Sequence, residues 1–179
     1  LSTWAEQARG WTDYMARSSY MLQQGKNVAD VAYFYGDEAN ATALFDKQKP
    51  AIPSSCNMDF INSDILCHHL DTDGGRLVTP SGSRYRILVL GGTSDRLSLA
   101  SLQAVKRLAD QGATIVGRRP ARAMGLKADS AEFDRIADDL WSGKRNNIID
   151  TGSTRHAIDS LLDVPDFRCT HMDSIRYVH

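Results

Sequence analysis

The residues best suited to handle a ligand stand together in Tyr35-Gly36-Asp37-Glu38. An aromatic ring beside two carboxylates suits the apolar face and the hydroxyls of a sugar. Tyr35, Asp37 and Glu38 are therefore the candidate substrate-binding residues. Glycoside hydrolysis needs two carboxyl groups roughly 5–10 Å apart on opposite sides of the sugar. Asp37 and Glu38 are consecutive, so they can touch a ligand but are poorly placed to flank one. The competing reading is a solvated turn.

Other chemistry-bearing residues give less. Cys67-His68-His69 has the composition of a metal site. On an α-helix, consecutive side chains point about 100° apart and cannot converge on one ion. His156, His171 and His179 are isolated, and Asp71 and Asp73 lack the rest of a calcium loop. No metal ligand is assigned. Cys56, Cys67 and Cys169 are odd in number, with no C-x-x-C spacing, and none sits in a G-x-C-x-G elbow. Gly91-Gly92 follows an apolar strand, where a dinucleotide fold would hold its pyrophosphate. The third glycine of G-x-G-x-x-G is missing, and the next helix begins late. Thr93, Ser94 and Asp95, and Arg118 and Arg119, lie on loops beyond strand carboxyl ends, where ligands collect in open α/β sheets. The two arginines could pair with acid groups but, read as following an edge strand, are expected to be solvated. No catalytic residue is assigned.

The elements that position these residues follow from periodicity and caps. Thr3 and Glu6 spell a capping box, and Trp4, Ala8, Trp11, Met15, Ser18 and Leu22 recur at helical spacing before Gly25. This aromatic stripe reads as core, with part of its partner surface outside the chain. Val28–Tyr35 reads as a buried parallel strand, and Asp46–Asn57 as a long loop. Met58, Ile61, Ile65 and Leu66 predict a second helix, capped by Asn57. A turn at Asp71–Gly75, a strand at Arg76–Thr79 and a turn at Pro80–Ser83 lead into a strand at Arg84–Leu90, so a hairpin feeds a central strand. A helix from Ser98, stopped by Gly112, precedes a strand at Ala113–Gly117. Asp129 and Glu132 start a further helix that ends at Gly143. A short strand at Asn147–Asp150, a helix at Thr154–Leu162 and a terminal strand at Ile175–Val178 complete the series. Strand and helix alternate, which predicts an open, mostly parallel, doubly wound α/β sheet with a β-hairpin insertion. The runs Val28–Tyr35, Ile87–Leu90, Ala113–Gly117 and Asn147–Asp150 should be mutually parallel.

Composition sets the outer limits. The chain has 179 residues, 42% hydrophobic and 24% charged, with a net charge of -1. That excludes disorder and leaves no basic footprint for nucleic acid or an anionic membrane. A complete (β/α)₈ barrel needs about 250 residues, so the chain cannot close one. No apolar run approaches the roughly 20 residues of a membrane span. The start at Leu1 and the abrupt end at His179 read as a piece of a longer protein, so no localisation is legible.

Thr3–Arg9, Ala16–Gly25 and Val28–Glu38 closely resemble a stretch of the bacterial α-L-rhamnosidases of glycoside hydrolase family 106. Tyr85–Leu90, Gly112–Gly117, Pro165-Asp166-Phe167 and Ile175–His179 fit the same family in the same order. The resemblance implies a long multi-domain enzyme: a catalytic barrel, then an α/β domain like a class I glutamine amidotransferase, then β-rich domains. Residues 1–25 would be the end of the barrel, and residues 26–179 a flavodoxin-like, amidotransferase-like domain truncated at its C-terminal end. The family's two glutamates and its calcium ion are expected upstream of Leu1, so no cofactor is assigned to this chain. The implied partners are the upstream barrel of the same polypeptide and, through the parent enzyme, carbohydrate. A periplasmic or secreted parent is compatible with this. The alternative is a free-standing small-molecule or nucleotide-binding α/β module.

Overall fold

The computed structural model describes residues 3–38, 52–53, 55–125 and 129–162. The strand expected at Ile175–Val178, Cys169, His171, His179 and most of the 46–57 loop lie outside them.

A 3₁₀ turn, Ala5–Ala8, runs into helix α1, Arg9–Leu22. Strands β1, Val31–Phe34, and β2, Met58–Ile61, follow. A π-helical turn over Ile65–His69 leads to β3, Asp71–Asp73, β4, Arg76–Val78, and β5, Arg84–Tyr85. Next come β6, Ile87–Leu90, β7, Arg96–Ser98, and helix α2, Leu99–Asp110. The series closes with β8, Thr114–Val116, β9, Arg122–Met124, α3, Ser130–Leu140, β10, Ile148–Ile149, and α4, Thr154–Leu161.

The main sheet has five strands in the order β10-β8-β6-β1-β2, every neighbouring pair parallel. All four runs expected to be parallel are in it. Side chains alternate across a strand, so each strand feeds two cores. Ala32, Phe34, Leu88, Leu90 and Ile115 face α2 and α3, meeting Leu102, Val105, Leu108, Phe133 and Ile136. Val31, Ile87, Val89 and Val116 face the other way, against Ala157 and Ile158 of α4. A sheet covered on both faces needs strands apolar at every position, which is why Ile87-Leu88-Val89-Leu90 is buried throughout.

Three helices start where expected, each with a side-chain cap. The Ser98 hydroxyl accepts from Ser101 N–H at 3.1 Å, Asp129 Oδ1 from Glu132 N–H at 3.0 Å, and Ser153 Oγ from His156 N–H at 3.4 Å. The hairpin insertion is present as an antiparallel meander, β3-β4-β5. Asp71–Asp73, expected in the turn, is a strand. The turn itself is Gly74-Gly75, whose φ values of +58° and +79° suit a tight two-residue hairpin.

Several expectations are corrected. Met58–Ile61 is not a helix but the edge strand β2, in register with β1 from Val31↔Met58 to Phe34↔Ile61. The open edge of β1 outweighs a helical spacing too short to nucleate. Asn57 caps nothing helical: its carbonyl accepts from Asp30 and Val31 N–H and so starts the ladder. Arg118 and Arg119 do not follow an edge strand, because β8 lies between β6 and β10. A small parallel pair, β7–β9, was not anticipated. The N-terminal helix makes no capping box, since its first turn has no side-chain cap. Its stripe is not core here: Trp4 and Trp11 are 63% and 66% exposed, and α1 buries no residue.

An ion-pair cluster ties α2 to the end of α3. Asp110 accepts from Lys106 Nζ and Arg145 Nη1, each at 2.6 Å, and Arg145 Nη2 reaches Asp139 at 2.8 Å. The hydrogen bond from Lys106, aided by Arg145, holds the Asp110 carboxyl below its ordinary value of 3.8. A depressed carboxylate adds stability above its unfolded pKa and loses it as pH falls through the folded one. Thermal scans between pH 5 and pH 2.5 should therefore show a steeper Tm loss for the native chain than for Asp110→Asn. Parallel curves would remove Asp110 from the acid response.

Candidate functional site

In open α/β sheets, ligands collect beyond the carboxyl ends of the strands. Five strands end there, and the loops after four of them form the candidate surfaces. The first leaves β1 and holds the three candidate residues. Tyr35 is half-buried, its ring edge-on to Phe60 with centroids 6.4 Å apart. Glu38 is exposed, 3.7 Å from Arg96. Asp37 is engaged inside the protein: Ser63 Oγ donates at 2.6 Å, Ser101 Oγ at 2.7 Å and Ser98 N–H at 2.8 Å. Its carboxylate thus joins the exit of β1 to the start of α2.

The second loop, Gly91–Asp95, leaves β6 and interlocks with the first. A Cβ on Gly91 would fall 2.1 Å from the Tyr33 ring, and one on Gly92 2.2 Å from the Tyr35 carbonyl oxygen. Gly92 N–H donates to the Tyr33 hydroxyl at 3.0 Å, and Thr93 N–H to Tyr35 O at 3.3 Å. Burial pushes the Tyr33 phenol above its ordinary 10.0, partly offset by the Gly92 bond. The glycine pair lets two loops close on each other, and one N–H that a phosphate would use is already taken. Thr93 Oγ1 is buried with no partner among the described residues.

The third and fourth loops leave β8 and β10. Arg119 is not merely solvated: it donates to Asp138 at 3.0 Å and Asp134 at 3.3 Å, both on α3. Arg118 is exposed, and its Nη2 lies 3.1 Å from where a Cβ on Gly152 would sit. Between the exits of β6, β8 and β10 is an open cavity of about 420 Å³, lined in part by Ser94, Asp95, Arg118, Thr151, Gly152 and Thr154.

The cysteine–histidine run divides. Cys67 Sγ turns inward, 3.9 Å from Ser101 Oγ, and burial pushes its thiol up, against the direction a nucleophile needs. His68 Nδ1 and His69 Nε2 turn outward and reach Asp64 at 3.0 Å and 3.6 Å. The wider π-helical turn lets two consecutive histidines meet one carboxylate, which α-helical spacing did not suggest. Among the described residues, no three His, Cys, Asp or Glu side chains gather as a metal-binding set. No helix there is long and apolar enough to cross a membrane.

The α-L-rhamnosidase family pattern matches residues 1–179, the whole chain. This chain belongs to the α-L-rhamnosidase family. The structure of a rhamnosidase from Novosphingobium sp. PP1Y is similar, with a TM-score of 0.84 and 40% identity. The match covers 93% of this chain and 17% of that one. A Formosa agariphila protein named "Putative beta-glucuronidase" is 36% identical over 144 residues, 79% of this chain and 12% of that protein. The chain therefore spans under a fifth of either relative's length.

Within this rhamnosidase-family domain, the sequence placed the first loop, Ser94 and Asp95, and Arg118 and Arg119 at strand exits, but missed the loop after β10 that completes the cavity. Thr151, Gly152 and Thr154 were not singled out. The available signal was the order of strands, since only the pairing of β10 with β8 brings those residues beside Arg118.

Proposed function

We propose that this chain is a non-catalytic α/β domain of a longer glycoside hydrolase that cleaves terminal α-L-rhamnosides. The observation that carries the reading is the family match over the whole chain, joined to 40% identity with a rhamnosidase more than five times as long. The catalytic carboxylates, and any calcium the parent uses, belong to the rest of that polypeptide. Asp37, held by three internal donors, is suited to support rather than chemistry. Tyr35 and Glu38 remain the residues of the first loop with surface to offer a sugar.

The finer fold assignment is flavodoxin-like, in the manner of a class I glutamine amidotransferase domain. Renumbered along the chain, the main sheet runs 2-1-3-4-5, the flavodoxin-like order. Without a G-x-C-x-G elbow, the amidotransferase chemistry does not come with the fold. Residues 1–25 are the end of the preceding catalytic barrel: Trp4, ahead of helix α1, and Trp11, Tyr14 and Met15 on it are uncovered, a stripe suited to pack against the rest of that barrel.

The test compares residues 1–179 with the full-length polypeptide on an aryl α-L-rhamnoside. The full-length protein should turn over, and the isolated chain should match a heat-killed control. Turnover by the isolated chain, abolished by Asp37→Ala or Glu38→Ala, would overturn the proposal.

A further inference from the structure

We propose that the cavity over the carboxyl ends of β6, β8 and β10 binds a saccharide unit bearing a carboxylate, a uronic acid residue, with Arg118 as its anchor. The saccharide half rests on the glycoside-hydrolase reading above; the anionic half rests on the cavity itself.

Its volume, about 420 Å³, is within the range of small-ligand sites and leaves room for one sugar ring. Its place is where open α/β sheets bind ligands, and the neighbouring position over β1 is closed by the interlocked glycine loops. The two arginines of the β8 loop are used differently. Arg119 is committed to Asp134 and Asp138, whereas Arg118 faces the cavity with no carboxylate within ion-pair distance among the described residues. A guanidinium presents a planar fork that matches a carboxylate bidentately. The fork lies close against the β10 loop, its Nη2 only 3.1 Å from where a Cβ on Gly152 would sit, so a branched side chain there would take its place. The rest of the wall supplies partners for hydroxyls: the Thr154 side chain, the exposed carboxylate of Asp95 as an acceptor, and the one lone pair left on Thr151 Oγ1, which already donates to Ser153 O and accepts from Ser153 N–H. One anion anchor among hydroxyl-binding groups selects an acidic sugar over a neutral one.

Saturation-transfer NMR on the full-length polypeptide tests this with methyl β-D-glucuronoside and methyl β-D-glucoside as probes. The glucuronoside should give transfer and the glucoside at least fivefold less. R118Q should cut the glucuronoside signal at least fivefold, and G152V, which displaces the guanidinium, should do the same. Both variants should keep the native thermal transition. Equal transfer to the two sugars would overturn the site, as would a glucuronoside signal unchanged in R118Q. Displacement by equimolar inorganic sulfate would also overturn it, because the cavity would then read charge without sugar. Rhamnoside turnover by the wild-type polypeptide is read separately. Arg118-dependent binding with no turnover overturns the rhamnosidase reading and leaves this site standing; turnover without such binding does the reverse.

Discussion

Replacing Leu88 by Asp is expected to abolish cooperative unfolding of this domain. Leu88 is fully buried in β6, between Ala32 of β1 and Ile115 of β8, and faces the core built by α2 and α3. The substitution removes about 1.5–3 kcal/mol of apolar burial. It also places a carboxyl group where no donor can reach it, at a cost of several kcal/mol whether it ionises or stays protonated. A domain has about 5–15 kcal/mol to lose in total. Leu88→Ala, which only empties space, should cost about 2–5 kcal/mol and keep a shifted but cooperative transition. Differential scanning calorimetry separates the two. A Leu88→Asp protein melting within a few degrees of the native one would mean that β6 is not the centre of the sheet.

The second large effect is expected at Asp37. Truncation to Ala strands Ser63 Oγ, Ser101 Oγ and Ser98 N–H at once. Ser101 is fully buried, so water cannot take over there. An unpaired buried donor costs about 1–3 kcal/mol, and one of the three can find water, giving about 2–6 kcal/mol in all. Asp37→Asn keeps one acceptor oxygen for the serines and should cost about half as much. Glu38→Gln breaks only an exposed pair to Arg96 and should leave stability within about 0.5 kcal/mol. Chemical denaturation gives all three values. A raised KM in the full-length protein with an unchanged midpoint for Asp37→Asn would instead put Asp37 on the substrate.

The parallel sheet was legible because its strands are apolar at consecutive positions and separated by capped helices. Ser98, Asp129 and Ser153 mark helix starts with side chains that reach only three residues along the chain. What failed was decided at a distance. Met58, Ile61, Ile65 and Leu66 imitate a helix, and a four-residue strand shows too little alternation to compete. β7 and β9, at three residues each, carry no period at all. Thr3 and Glu6 have the types of a capping box without its bond, so composition at a helix start did not guarantee geometry. The α1 stripe is visible in the sequence, but the surface it faces is not. The candidate loop was found and the role of Asp37 was not, because its partners lie 26, 61 and 64 residues away.

The strand order has a consequence for how the domain is made. β1 is the first strand of the sheet to be synthesised, yet it ends between β2 and β6. Its inner partner begins at Ile87, 56 residues after Val31. At the usual pace of about 5–20 residues per second, β6 leaves the ribosome about 3 to 11 s after β1. Through that interval an apolar strand waits with an open edge, the feature that recruits wrong partners. Nascent chains of this domain are thus most in need of chaperone cover between the emergence of Phe34 and that of Leu90, and a translational pause in that window prolongs the hazard.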